Sequence, residues 1–102
     1  MAELVCTIRR VGDYESRTEE YELVYSVGQA TPHGLRIEYQ AARAYEINAA
    51  LDAAVEVARE AIAEEDPGQK GPTDEVLSKF TWRAIQSAKY EEGEPVCSSL
   101  EY

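Results

Sequence analysis

Residues 18–27, TEEYELVYSV, carry the pattern from which the fold is predicted. Apolar and polar side chains alternate along this stretch, and a period of two is typical of a strand that is covered on one face only. The side chains predicted for the covered face are Tyr21, Leu23, Tyr25 and Val27. The opposite face is predicted to carry Glu20, Glu22 and Ser26. The stretch therefore predicts a strand of a two-layer structure.

Two neighbouring segments repeat this alternation. Residues 3–11, ELVCTIRRV, have the same period, and the turn-forming pair Gly12-Asp13 separates them from the first stretch. The two runs therefore predict an antiparallel hairpin. After the break GQATPHG, residues 35–39, LRIEY, predict a third short strand. We expect a sheet of two to three strands within residues 3–39.

The hydrophobic period changes to 3.6 over residues 41–65, which predicts one long helix. Ten of these residues are alanine, the best helix former. The apolar stripe predicted to cover the sheet comprises Ile47, Leu51, Ala54, Val55, Ala58, Ala61 and Ile62. Residues 66–72 contain two prolines and two glycines and predict a linker.

A second, shorter helix is predicted over residues 74–90, with Thr73 as its N-cap. Its predicted stripe comprises Leu77, Phe80, Thr81, Ala84, Ile85 and Ala88. Residues 79–86, KFTWRAIQ, also fit a strand. The polar tail 91–102 is compatible with an edge strand or with a loose segment. The chain of 102 residues fits one domain, and together the segments predict a single α+β domain with a small antiparallel sheet packed on two helices.

The charge of the chain restricts its partners. It has 20 acidic and 10 basic residues and a formal net charge of −10. Such a field repels nucleic acid and anionic membranes and attracts basic partners. We see neither a membrane-spanning run nor a signal peptide, and expect a cytoplasmic protein. Cys6 and Cys97 are expected to be separate thiols, unless the tail returns beside the first strand and lets them pair.

Half of the net charge falls within residues 41–66, which carry seven acids and two bases. On the predicted long helix, four acids recur at intervals of four: Asp52, Glu56, Glu60 and Glu64. Like charges at this spacing repel each other, and Glu65 adds a carboxylate at the helix end where the dipole prefers cations. Because two local preferences are broken in one place, the pattern indicates either a docking site or an exposed acidic face.

Other residues are candidates to extend or to compensate this acidic row. Arg59 is predicted to pair with Glu56, three residues earlier on the helix. Glu20 and Glu22 of the second strand are candidates to extend the surface. Trp82 falls off the stripe of the second helix, either as an exposed contact or packed under the C-terminal tail or at a helix edge, and Tyr14 is predicted to lie in a loop. Both aromatic side chains are candidate partner contacts, since Trp and Tyr are frequent in binding hot spots.

No sequence motif indicates catalysis. His33 is the single histidine and falls in the apparent turn TPHG, where a solvent-facing role is the more common one. A nucleophile could still meet it in space, because such pairs need not be sequence neighbours. The acids lack the histidines of a carboxylate-bridged metal site and the pattern of an EF-hand loop. We therefore expect a protein that is not an enzyme and has neither a metal nor a cofactor.

In size, charge and lack of a catalytic pattern, the chain is similar to phage-encoded anti-defence proteins, such as anti-CRISPR or anti-restriction inhibitors that mimic the charge of DNA. This likeness of class implies an inhibitor or regulator that docks on the basic surface of a nucleic-acid-binding protein. It implies no direct contact with nucleic acid. The alternative is a structural or accessory subunit that forms a homodimer or joins a larger complex.

Overall fold

The computed structural model describes residues 1–12, 17–91 and 93–102. Its strands are β1 (Glu3–Val11), β2 (Thr18–Val27), β3 (His33–Gln40) and β4 (Val96–Glu101). Its helices are α1 (Ala44–Glu65) and α2 (Asp74–Ala88). The strands form one antiparallel sheet in the order β3-β2-β1-β4. The α+β class is confirmed, and the described part of the chain has one strand more than the two or three predicted.

The two predicted strands pair as an antiparallel hairpin, with Ile8 opposite Leu23 and Cys6 opposite Tyr25. Their alternation matches the burial, because these four side chains are at most 1% exposed and all face the helices. The third strand begins two residues before the predicted LRIEY segment, at His33. His33 is thus the first residue of β3 rather than part of a turn.

The polar tail forms the edge strand β4, which runs antiparallel to β1. Two backbone hydrogen bonds between Ala2 and Tyr102, of 2.9 and 3.0 Å, fasten the chain ends to each other. The apolar–polar alternation of β4 is weak because Ser98 shares the partly covered face with Val96 and Leu100. This is why the sequence pattern left the tail open between a strand and a loose segment.

Helix α1 lies over β2 and β3. It begins at Ala44 rather than at residue 41, because the extended backbone of Arg43 (φ −111°, ψ 94°) precedes it and the Arg43 N–H donates to the carbonyl of Gln40. The alanines Ala54, Ala58 and Ala61 are fully buried. Side chains this small let the helix approach the sheet closely. The remaining members of the predicted stripe are buried or partly buried.

Helix α2 lies over β1 and β4 and runs antiparallel to α1. Thr73 caps it by accepting a hydrogen bond of 3.3 Å from the Val76 N–H, and all six residues of the predicted stripe are buried. The helix ends at Ala88, two residues before the predicted end. Neither α1 nor α2 has the length and apolar character needed to cross a membrane.

The tail does return beside β1, yet the two cysteines are separate thiols. In the β1–β4 register, Cys97 lies opposite Thr7, whereas Cys6 lies opposite Ser98. Successive side chains of a strand point to opposite faces. Cys6 is therefore buried under the helices, and Cys97 is exposed on the other face of the sheet.

We predict that the native protein reacts with a thiol reagent at one cysteine only. Burial raises the pKa of the Cys6 thiol to about 12, and the thiolate is the reactive form. Titration with Ellman's reagent near neutral pH should give one thiol in the native state and two after denaturation. Immediate reaction of both thiols, or a disulfide found by mass spectrometry, would contradict this placement.

Candidate functional site

The four predicted carboxylates are all exposed on α1. Each step of four residues advances about 6 Å along the helix and turns by about 40°. We call these four carboxylate residues the acidic row: Asp52, Glu56, Glu60 and Glu64. The acidic row therefore crosses the helix obliquely. Its first two members line a groove beside α2, and its last two lie next to β3. The row thus spans the exposed face of the helical layer.

Lysine and arginine do not neutralise the acidic row within the described part of the chain. Their ion pairs there go to other carboxylates. The predicted pair between Arg59 and Glu56 is wrong. Arg59 instead donates at 2.6 Å to Asp74, in the first turn of α2. Its other two nitrogens donate to the carbonyls of Lys70 and Pro72 at 2.9 and 2.8 Å. The linker and α2 thus bind the guanidinium, although Arg59 lines the same groove as Asp52 and Glu56.

His33 is the one basic side chain that meets the acidic row among the described residues. Its Nδ1 lies 3.6 Å from Glu60 Oε2, and its Nε2 lies 3.4 Å from Glu64 Oε2. The ring is 27% exposed, and it connects the start of β3 to the last turns of α1. His33 was considered only for catalysis from the sequence. Its role beside the row depends on the packing of α1 against β3, which local spacing does not reveal.

The structure does not bring Glu20 and Glu22 to the acidic row. Both project from the face of the sheet opposite the helices, because they alternate with the buried Tyr21 and Leu23. Their charges are compensated there. The ion pairs on that face are Arg9–Glu22 at 2.6 Å, Arg36–Glu20 at 3.2 Å and Arg36–Glu22. These contacts hold the pKa of Glu22 below its usual range, with the hydrogen bond from Arg9 as the largest cause.

Of the two further candidate residues, Glu65 and Tyr14, the structure describes only Glu65. The Glu65 carboxylate packs over Gly28, in the turn between β2 and β3. Gly28 has a φ of +57°, and a Cβ there would lie 3.1 Å from Glu65 Oε1. Tyr14 falls outside the described residues. The structure therefore leaves the four carboxylates of the acidic row as one candidate surface.

Trp82 is partly buried at the edge of an apolar groove between the two helices. Its ring centroid lies 6.5 Å from that of Tyr39, and the rings are tilted by 43°. The groove has a volume of about 420 Å³, and partly buried Ile47 and Leu51 line it together with Trp82. Trp82 was predicted to be either exposed or packed against the protein, and the packed position is observed. The side chain still faces a recess that is open to solvent.

The apolar groove continues into the acidic row. Ser78 lines both the apolar groove and a second groove of about 370 Å³, which also contains Asp52, Glu56 and Asp74. Trp82 and the first half of the row therefore share one surface of the helical layer. Asp74 and the floor residues Ile47 and Leu51 were not among the predicted site residues. They join the site through the antiparallel packing of α1 on α2, which a single-helix pattern does not encode.

No cluster of three or more metal-ligating side chains is found among the described residues. No buried side-chain nitrogen or oxygen lacks a hydrogen-bond partner in the same part of the chain. Comparisons with protein-family models, with curated proteins and with solved structures find no match to this chain.

We predict that Glu56→Lys makes the isolated protein more stable. The variant replaces two like-charge contacts, with Asp52 and Glu60, by two attractive ones at the same spacing. Each such pair is worth about 0.2–0.5 kcal/mol, so the expected gain is roughly 1 kcal/mol at low salt. Urea unfolding measures the gain, which should shrink as salt is added. A loss of stability would show that the row contributes to the fold.

Proposed function

We propose that the protein is a small non-catalytic binding protein that docks the acidic row on the basic surface of a nucleic-acid-binding protein. It would act there as an inhibitor or regulator by occupying the site of the nucleic acid. A phage anti-defence protein of the anti-CRISPR or anti-restriction type is the class that fits this action. The proposed compartment is the cytoplasm.

The observation that carries this proposal is the absence of lysine and arginine partners for the acidic row within the described residues. Neighbouring Arg59 is engaged elsewhere, although it lies on the same helix. On the other face of the sheet, Glu20 and Glu22 do have arginine partners. Glu20 and Glu22 thus have arginine partners, whereas the acidic row has no lysine or arginine partner in the described part of the chain, which favours an external cation for the row.

The geometry of the row supports a basic protein surface as the partner. The carboxylates are separated by about 6 Å along the helix axis, of the same order as the phosphate spacing of a nucleic-acid strand, although B-DNA has a shorter axial repeat of about 3.4 Å. Aromatic and apolar anchors beside charged residues are typical of binding interfaces. Trp82 and Leu51 are in that position next to Asp52.

Affinity capture from a lysate of the source organism tests the proposal. The bait is the wild-type protein, and a bound partner should be released by moderate salt and by added double-stranded DNA. The test variant is Glu56→Lys with Glu60→Lys, which should lose this partner. Its matched control is Glu38→Lys with Glu101→Lys, two exposed positions on the opposite face of the sheet.

Both double variants change the net charge from −10 to −6, since each Glu→Lys substitution adds two positive charges. A purely global charge effect would weaken capture equally in both. Docking through the acidic row predicts that the helix variant, Glu56→Lys with Glu60→Lys, no longer captures the partner. The sheet variant, Glu38→Lys with Glu101→Lys, should still capture it. Equal capture of the same proteins by both variants would contradict the proposal.

The alternative function, a subunit of a homodimer or larger complex, remains a separate prediction. It requires association through apolar surface. Sedimentation velocity over a range of protein and salt concentrations distinguishes it, because an apolar dimer would be indifferent to salt and to the charge-reversed helix. An enzyme that uses His33 would lose its activity in His33→Ala.

A further inference from the structure

The α1–α2 surface has the shape of a linear groove. Its apolar half contains Ile47, Leu51 and Trp82, and its acidic half contains Asp52, Glu56 and Asp74. On α2, the lining residues extend from Arg83 to Asp74, which is about 14 Å at the rise of an α-helix. This length corresponds to about ten residues of a second helix laid along the groove.

The two halves of the groove differ in the charged side chains that line them. Lys79 and Arg83 line the apolar half. The other half has three carboxylates and Arg59, which is paired with Asp74, so Asp52 and Glu56 are left without a lysine or arginine partner among the described residues. Lys79 is paired with Glu75 at 3.0 Å. The guanidinium of Arg83 has no ion pair or hydrogen bond with the described residues. A complementary ligand therefore carries positive charge at one end, an apolar stripe facing Trp82 and negative charge at the end that meets Arg83.

We infer that this groove binds an amphipathic helix of the partner protein, with apolar side chains over Trp82, basic residues over Asp52 and Glu56, and an acidic residue beside Arg83. This inference rests on the proposed function and specifies which element of the partner docks. Helices commonly bind through an apolar stripe laid into a groove. A small apolar molecule would fill only the apolar half and would leave the carboxylates of the other half unused.

Trp82 provides the readout, because it is the single tryptophan of the chain. Three synthetic helical peptides are the probes. The first has a leucine stripe, lysines at one end and glutamates at the other; the second has alanine in place of leucine; the third has the leucine stripe and lysines at both ends. The first should shift Trp82 emission to the blue and bind about tenfold more tightly than the other two.

Variants of the groove make the test specific. Asn48→Phe fills the apolar half from an exposed position of α1 and should abolish the emission shift. Ala49→Phe, on the adjacent exposed position that faces β3, is the control and should bind normally. Arg83→Glu should reverse the preference between the first and third peptides, since the end of the groove then favours lysine.

The possible results separate this inference from the proposed function. Equal binding of the leucine and alanine peptides, weakened by Glu56→Lys, would overturn the groove inference and leave charge-based docking intact. The absence of any emission shift with the first peptide would overturn the inference as well. Capture that is unaffected by reversal of the acidic row would instead contradict the proposed function, whatever the peptides do.

Discussion

Alkaline solution should unfold this protein near pH 11, because four buried acidic groups must keep their protons in the folded state. Burial is the main cause that raises the pKa of Tyr39 and of the Cys6 thiol to about 12, from ordinary values of 10.0 and 9.0. Burial likewise raises the pKa of Tyr21 and Tyr25. Hydrogen bonds hold these two hydroxyls, to Glu19 at 2.7 Å and to Thr81.

The direction of the effect follows from linkage. A raised pKa in the folded state means that the unfolded chain releases its protons first, so stability is complete below about pH 9 and is lost as the pH rises towards 12. Above the pKa that a group has in the unfolded chain, its titration lowers the free energy of unfolding by about 1.4 kcal/mol per pH unit. At pH 11, proton release by the four groups in the unfolded chain lowers the free energy of unfolding by about 7 kcal/mol in total. This loss is comparable to the entire stability of a domain of this size.

Urea unfolding over a pH series, with absorbance of tyrosinate recorded in parallel, checks this prediction. Tyr39→Phe removes one titrating group and should reduce the slope of unfolding free energy near pH 11 by about 1 kcal/mol per pH unit. Tyr45→Phe alters an exposed tyrosine, is the matched control and should leave the slope unchanged. Full tyrosinate absorbance in a protein with native circular dichroism would contradict the buried positions.

Reversal of the acidic row should weaken binding of the captured partner about 100-fold, equivalent to about 2.7 kcal/mol. Glu56→Lys with Glu60→Lys replaces two attractive contacts by two repulsive ones, at a cost of about 1–2 kcal/mol for each residue at a partly exposed interface. The association rate at low salt should fall as well, because steering depends on the charge that faces the partner.

Isothermal titration and stopped-flow mixing measure the two effects. The sheet variant, Glu38→Lys with Glu101→Lys, has the same net charge and should stay within about threefold of the wild type. Because Glu60→Lys removes the contact of Glu60 with His33, urea unfolding of the double variant is the control that separates a loss of folding from a loss of binding. An equal loss in the helix and sheet variants would assign the effect to net charge alone.

Period-two alternation was sufficient to predict the hairpin, and the 3.6 period predicted every buried residue of α2's stripe. Such patterns predict structure because one face of each element is buried and the other is exposed to solvent. The tail stayed open between an edge strand and a loose segment, because Ser98 interrupts the apolar face and pairing with β1 supplies the hydrogen bonds of β4. Strand pairing between distant segments is a tertiary property that a local pattern does not contain.

The acidic row could be predicted, because it depends only on spacing within one helix. Its surroundings could not. Helical spacing predicted Glu56 as the partner of Arg59, but the antiparallel packing of α2 brings Asp74 to it instead. Strand alternation already places Glu22 and Tyr21 on opposite faces of the sheet. Only the position of α1, on the face of Tyr21, shows that Glu22 faces away from the row.

The pairing of individual charges across the interface is the most direct test of the central claim, that the acidic row docks on a basic surface. Glu56→Lys is combined with lysine or arginine to glutamate substitutions over the partner's basic surface, and affinities are compared in double-mutant cycles. Docking through the acidic row predicts at least one partner residue whose reversal restores binding of Glu56→Lys, with a coupling of about 1.5 kcal/mol or more. Additive effects, within about 0.5 kcal/mol for every basic residue of the partner, would contradict it.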